Sequence, residues 1–280
     1  MEQKKLLIKF HGSYSDNHQM DMRQFGYSLI GIERVIRIGF ICFSSQRFPK
    51  RGEESPVSIL MTQPYPGSYG FTTIIQEIAG SHYPLLNQFF IEQGHRISLK
   101  WLGGILLNRG GREEDSIQMA KDLVEIMANY SDGIDQKRHE EMMELIRRSE
   151  LNRSAREIVK PIGESSNKLV ISDGNGDNIE IDEPIADSIR SKDKLEVGEM
   201  KTYVVRVDGF FHHNKQLKVI HPEAPGRFIT GKISDPAFSD TPNIYTKAAS
   251  EKKELKITAK PTRKDGRLTN LHIFDAKPVD

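Results

Sequence analysis

Apolar positions along this chain recur in two rhythms. Residues 4–11 (KKLLIKFH) make a short apolar run that predicts a first strand, and the turn formers GSYSDN follow it. Asp21 with Gln24 three residues later has the pattern of a capping box and predicts a helix start. The helix beyond it carries Phe25, Leu29, Ile32, Ile36, Phe40 and Phe43 near 3.6 spacing, with Arg23, Arg34 and Arg37 on the other side. Its apolar face is wide, as expected for a helix lying across a sheet. Two further strands are predicted over 56–63 and 68–75, joined by a turn at Pro64-Tyr65-Pro66-Gly67-Ser68, which makes a β-α-β-β start. Helical spacing then predicts helices from Tyr83 to Leu107, over 114–130 and 134–148, and near 153–160.

After Ser165-Ser166-Asn167 the rhythm changes to alternation, and these three residues read as a linker. Strand-like runs recur at 167–172, 177–181, 200–209, 215–221, 227–234, 254–261 and 267–274. His212-His213-Asn214 and Lys264-Asp265-Gly266-Arg267 sit at expected hairpin tips. Five strands after residue 199, joined by short turns, predict a small barrel of SH3-like or OB-like type. The expected fold is therefore α+β: a largely helical domain over 1–165 that opens with β-α-β-β, and an all-β barrel domain over 166–280.

Charge sharpens this division. The net charge is only +1, but residues 1–112 carry +5, 113–165 carry −5, 166–200 carry −5 and 201–280 carry +6. Basic ends flanking an acidic middle suit either packing between complementary parts or contact with a polyanion. The single cysteine, Cys42, excludes an internal disulfide, and its apolar neighbours Ile41 and Phe43 suggest a small buried hydrophobe. Leu6 to Phe10 is too short for the core of a signal peptide. The windows Phe25–Phe43 and Pro84–Leu107 carry mid-span charges that a membrane helix disfavours. A cytoplasmic protein without membrane association is expected.

The candidate chemistry mostly fails on spacing. His11, Asp16, His18 and Asp21 are metal-ligand types, yet they match no metal motif, and Asp21 is already a cap. Asp173-Gly174-Asn175-Gly176-Asp177 begins like a calcium loop, but Asn178 stands where the sharp-turn glycine belongs and Pro184 where the bidentate glutamate belongs. A hairpin turn explains that tract. Gly103-Gly104 and Gly110-Gly111 lack the Gly-Lys-Ser/Thr of a phosphate-binding loop and read as helix-end glycines, with Arg109 and Arg112 as nearby anion contacts. His139, Glu140, Glu141 and Glu144 read as a solvated helix face. No catalytic residue, metal or cofactor is expected.

The barrel carries the candidate binding residues. Lys252, Lys253, Lys256, Lys260, Arg263, Lys264 and Arg267 crowd the last hairpin, while Phe210, Phe211, His212 and His213 form an aromatic and imidazole tip on an earlier one. Cations interleaved with stacking rings are how small barrels hold single strands. Lysines and arginines also simply solvate and protect sheet edges.

Several short segments carry a resemblance: Phe10-His11-Gly12, Tyr27-Ser28-Leu29-Ile30-Gly31, Pro66-Gly67-Ser68-Tyr69-Gly70-Phe71, Gly231-Lys232-Ile233 and Asp265-Gly266-Arg267-Leu268. In these the chain resembles uncharacterised bacterial two-domain proteins that are similar to accessory components of anti-phage defence loci. The resemblance implies a non-enzymatic interaction protein whose barrel recognises a protein partner and whose helical half assembles. The alternative expectation is a nucleic-acid-associated effector or divergent nuclease using the basic barrel surface.

Overall fold

The computed structural model describes residues 5–45, 47–50, 52–62, 69–78, 92–128, 136–240 and 242–279. They form two compact units, residues 1–190 and 191–280. The turn expected at 64–68 and the start of the helix expected from Tyr83 lie outside the described residues.

The first unit contains a five-stranded sheet in the order β2 (Val57–Met61), β3 (Tyr69–Glu77), β1 (Leu6–His11), β4 (Lys168–Ser172), β5 (Asn178–Asp182). Every neighbouring pair is antiparallel. Alternation in β1 buries Leu6, Ile8 and Phe10 completely, as period-two geometry requires. Helix α1 (Met22–Ser45) starts where Asp21 accepts a hydrogen bond from the Gln24 amide at 2.8 Å. The reciprocal half of the capping box is absent, because the Gln24 side chain accepts from Ser165 Oγ at 2.9 Å.

Among the described residues of this unit, α2 (Gly94–Arg109), α3 (Glu113–Ala128), α4 (Gln136–Ile146) and α5 (Asn152–Ile158) come next along the chain. Helix α2 is buried on nearly every side, with Ile97, Leu99, Trp101, Leu102, Ile105 and Leu106 in the core. Two glycines of α1 set its crossings. A Cβ at Gly39 would lie 2.6 Å from the Trp101 ring, whose Nε1 donates to Val35 O at 2.8 Å. A Cβ at Gly31 would lie 2.8 Å from Ser154 O of α5, and the buried Ser28 hydroxyl donates to Ile158 O at the same crossing.

The expected boundary at 165/166 is corrected by this sheet. β4 pairs with β1 from Leu7↔Ser172 to His11↔Lys168, and β5 pairs with β4, so residues 168–182 complete the first sheet. Ser165 and Ser166 are buried, and Ser165 O accepts from the Ser15 amide, so the expected linker is interior chain. A further helix, α6 (Glu183–Arg190), closes the unit where only strand texture was expected.

The second unit is a closed five-stranded barrel. β7 (Lys201–Phe211), β8 (Gln216–Ile220) and β9 (Phe228–Ile233) form an antiparallel meander. Helix α7 (Ile244–Glu251), unforeseen in the sequence, leads into the hairpin β10 (Glu254–Lys264) and β11 (Arg267–Pro278). β10 pairs antiparallel with β7, and β11 closes the ring parallel to β9. The short β6 (Glu196–Val197) adds to β10 outside the ring. A meander, a helix, then a hairpin whose last strand closes in parallel is OB-type connectivity, which decides between the two expected barrel types. Val205, Leu217, Ile229, Ile257, Leu271 and Tyr245 fill the interior. The Tyr245 hydroxyl donates to Asp235, and burial with that contact raises its pKa. Among the described residues no helix is long and apolar enough to cross a membrane.

Candidate ligand face of the barrel

The sequence clusters outside the barrel resolve into ordinary contacts. Asp16 accepts from the Gly12 amide at 2.8 Å and Asp21 caps α1, so both carboxylates near His11 and His18 serve the backbone. Burial, helped by the charge of Lys168, lowers the His11 pKa. At the β4–β5 turn, Asp173 accepts from the Asn175 amide at 2.8 Å, and Asp177 pairs with Lys100 of α2 at 2.8 Å. Among the described residues no group of three His, Cys, Asp or Glu side chains is arranged to hold a metal. The Cys42 thiol is buried, which pushes its pKa up to about 12.

The expected aromatic tip on β7 separates by strand phase. Phe210 pairs with the buried Leu217 and packs inward, its ring 5.7 Å from Phe238, and His212 lies 5.3 Å from the same ring. Phe211 pairs with Gln216, points outward and is 47% exposed. His213 is exposed in the turn.

The seven basic residues are spread along the hairpin, and most of them are engaged. β10 carries Lys256 and Lys264 about 25 Å apart along the strand. Lys252 pairs with Asp208 at 3.2 Å, and Lys253 with Glu251 at 2.6 Å. Arg263 makes a two-pronged pair with Glu223, and Lys264 reaches Asp193 at 3.0 Å. The Arg263 guanidinium holds the Glu223 carboxyl below the usual carboxylate range. Lys256 and Arg267 are exposed, and Lys260 is half-buried and engaged.

A different set of side chains shares one face. Alternation points Ile229, Gly231 and Ile233 of β9 inward and Phe228, Thr230 and Lys232 outward. Their cross-strand partners on β8 are Ile220, Lys218 and Gln216. Lys218 Nζ sits 4.2 Å from the Phe228 ring centroid and 3.0 Å from Asp208. Such a cation–π contact steadies the ring, and Phe228 is still 51% exposed. Hydrogen bonds from Lys218 and Lys252 hold the Asp208 carboxyl below its ordinary pKa. Asp208 is the extra residue of a bulge in β7, between Val207 and Gly209. Sequence reasoning missed Phe228, Lys218 and Lys232. The signal available was phase: Phe228 falls out of step with the buried Ile229 and Ile233.

Comparison with protein families follows the same division of the chain. Residues 6–190 match the Domain of unknown function (DUF7946) model, and residues 199–277 match the Family of unknown function (DUF7947) model. The first match spans most of the chain, which therefore belongs to the DUF7946 family. No curated protein and no solved structure matches it.

Proposed function

We propose that this chain is a non-enzymatic recognition protein of the bacterial cytoplasm, in which the C-terminal barrel binds a ligand through the outer face of β8 and β9. The observation that carries this reading is Phe228, an open ring steadied by Lys218 on the outside of a closed barrel whose core is already filled. An exposed aromatic in that position adds nothing to the core, and the β8–β9 face is where barrels of this connectivity take ligands. The N-terminal unit supplies the assembly surface. Helix α1 presents Met22, Gly26 and Ile30 at i, i+4, i+8 spacing, with Met22 and Ile30 exposed and nothing within 4 Å of a Cβ at Gly26. A role as an accessory component of anti-phage defence is part of the same proposal and draws on the segment resemblances. The nucleic-acid reading uses this same barrel face.

A photo-crosslinking phenylalanine analogue at position 228 tests the recognition face without knowledge of the ligand. A discrete adduct should form in cells with the analogue at 228. The same analogue at Thr202, exposed on β7 opposite Thr258, should give none. Equal adducts at both positions, or none at either, would rule the face out.

A further inference from the structure

We propose that the occupant of the β8–β9 face is a single-stranded nucleic acid, with Phe228 and Phe211 as separate stacking platforms and Lys218 and Lys232 placed for its phosphates. This rests on the recognition reading above and names its ligand.

Three features of the face select this occupant. Its two exposed rings do not touch. Phe228 pairs with Ile220 at one end of β8, and Phe211 pairs with Gln216 at the other, four residues along and two strands across, on opposite sides of β8. That places them about 16 Å apart. A protein interface needs a continuous apolar centre ringed by polar groups, whereas isolated rings with cations between them suit successive bases on a charged backbone. Lys218, Thr230 and Lys232 fill the space between the rings.

Charge is the second feature. The carboxylate at one margin, Asp208, is outnumbered by Lys218 and Lys252. At the other margin Glu223 is matched by Arg263, with exposed Arg267 beyond it on the β10–β11 hairpin. The region is positive as a whole, with +6 over residues 201–280. Such a surface draws a polyanion and releases its counterions on binding.

The third feature is the shape of the rings' surroundings. Both rings stand on strands of a closed barrel rather than on a helix or free two-stranded ribbon that could enter a groove. Their π-faces can meet only bases already out of the duplex stack, so single strands are selected over duplexes. DNA and RNA arms of one experiment separate those two sources.

The test is fluorescence anisotropy on the full-length protein with labelled oligothymidylate and oligouridylate of about 15 nucleotides, near the upper site size of a small barrel. At low salt one or both should bind, and a duplex of the same length should bind less well. Phe228→Ala should weaken binding about tenfold, in line with the loss of one stacking platform. Phe211→Ala should act in the same direction. Lys218→Gln should flatten the logarithmic salt slope by about 0.7, the share of one phosphate contact on a single strand. Thr202→Ala should change nothing. If Phe228→Ala disturbs folding, Phe228→Leu keeps apolar bulk without a π-face and should still lose affinity. Binding of neither oligonucleotide, or binding indifferent to both rings and equal for duplex, overturns the inference. A protease-sensitive adduct at position 228 together with no oligonucleotide binding would also overturn it, while leaving the recognition face intact.

Discussion

At the β4–β5 turn, Asp177 and Asp122 of α3 converge on the buried ammonium of Lys100, each at 2.8 Å. On the outer face of β8 and β9, Lys218 lies between Asp208 and a half-open ring. The first cluster resembles a calcium loop in sequence, and its charges are consumed inside the unit, where they tie a hairpin to two helices. The second has no motif, and its ring and cations face solvent. The difference teaches that a charged tract becomes a candidate site only when burial leaves part of it open to solvent, and burial is not visible in residue order.

The largest effect that would break this comparison concerns the unit holding the Lys100 cluster. A fragment ending at residue 165 lacks β4, β5 and Asp177, leaving β1 without one of its two partners. It should fail to give a cooperative unfolding transition, whereas fragments 1–190 and 191–280 should each give one by circular dichroism. A folded 1–165 fragment would return the boundary to the serine pair.

Next in size is Lys100→Met. Removal of the ammonium leaves two partly buried carboxylates facing each other. Asp177 is half-exposed, so the loss should be about 2 kcal/mol rather than the larger cost of a fully buried pair. The pH dependence has a definite sign. The hydrogen bond from Lys100 depresses the Asp177 pKa, so its contribution is present above the ordinary carboxylate pKa and disappears as pH falls through the lower folded value. Burial opposes charge on Lys100, but the bonds to Asp122 and Asp177 outweigh it and raise the pKa. That contribution is complete below the ordinary lysine pKa and is lost as pH rises through the folded value. Denaturant titrations at acidic and neutral pH should show a smaller acid loss in Lys100→Met than in the native chain.

The smallest effect is expected on the barrel. Arg263→Ser removes the pair with Glu223, and Lys264→Ser the pair with Asp193, both at the exposed hairpin end. Each should lower the unfolding free energy by less than about 1 kcal/mol in denaturant titrations, since exposed pairs contribute little. A loss comparable to that of Lys100→Met would mean that the hairpin charges are structural, and the contrast between the two clusters would vanish.

Local signals account for what was legible. The first strand, the Asp21 cap, the long α1 and the alternation of 254–261 and 267–274 all follow from nearest-neighbour pattern, and the structure contains each of them, the first strand as Leu6–His11. Helices α6 and α7 escaped because they are short pieces embedded in strand-rich sequence. Their starts were nonetheless written locally, as Asp182 before Glu183-Pro184 and as Asn243, which accepts from the Thr246 amide at 2.9 Å. The serine pair at 165–166 read as a linker because small polar residues are common in loops; its burial depends on Ser15 and Gln24, which are remote in sequence.

Residue order alone therefore determined the secondary-structure rhythm, the α+β class with a closing barrel, and the basic character of the C-terminal region, because each depends on neighbours within a few positions. Tertiary structure alone decided that β4 and β5 belong to the first sheet, that the barrel closes with β11 parallel to β9, and that Phe210 turns inward while Phe211 and Phe228 stay outside. Those outcomes depend on pairings between segments far apart in the chain. A shift of one residue in register reverses which face every side chain meets.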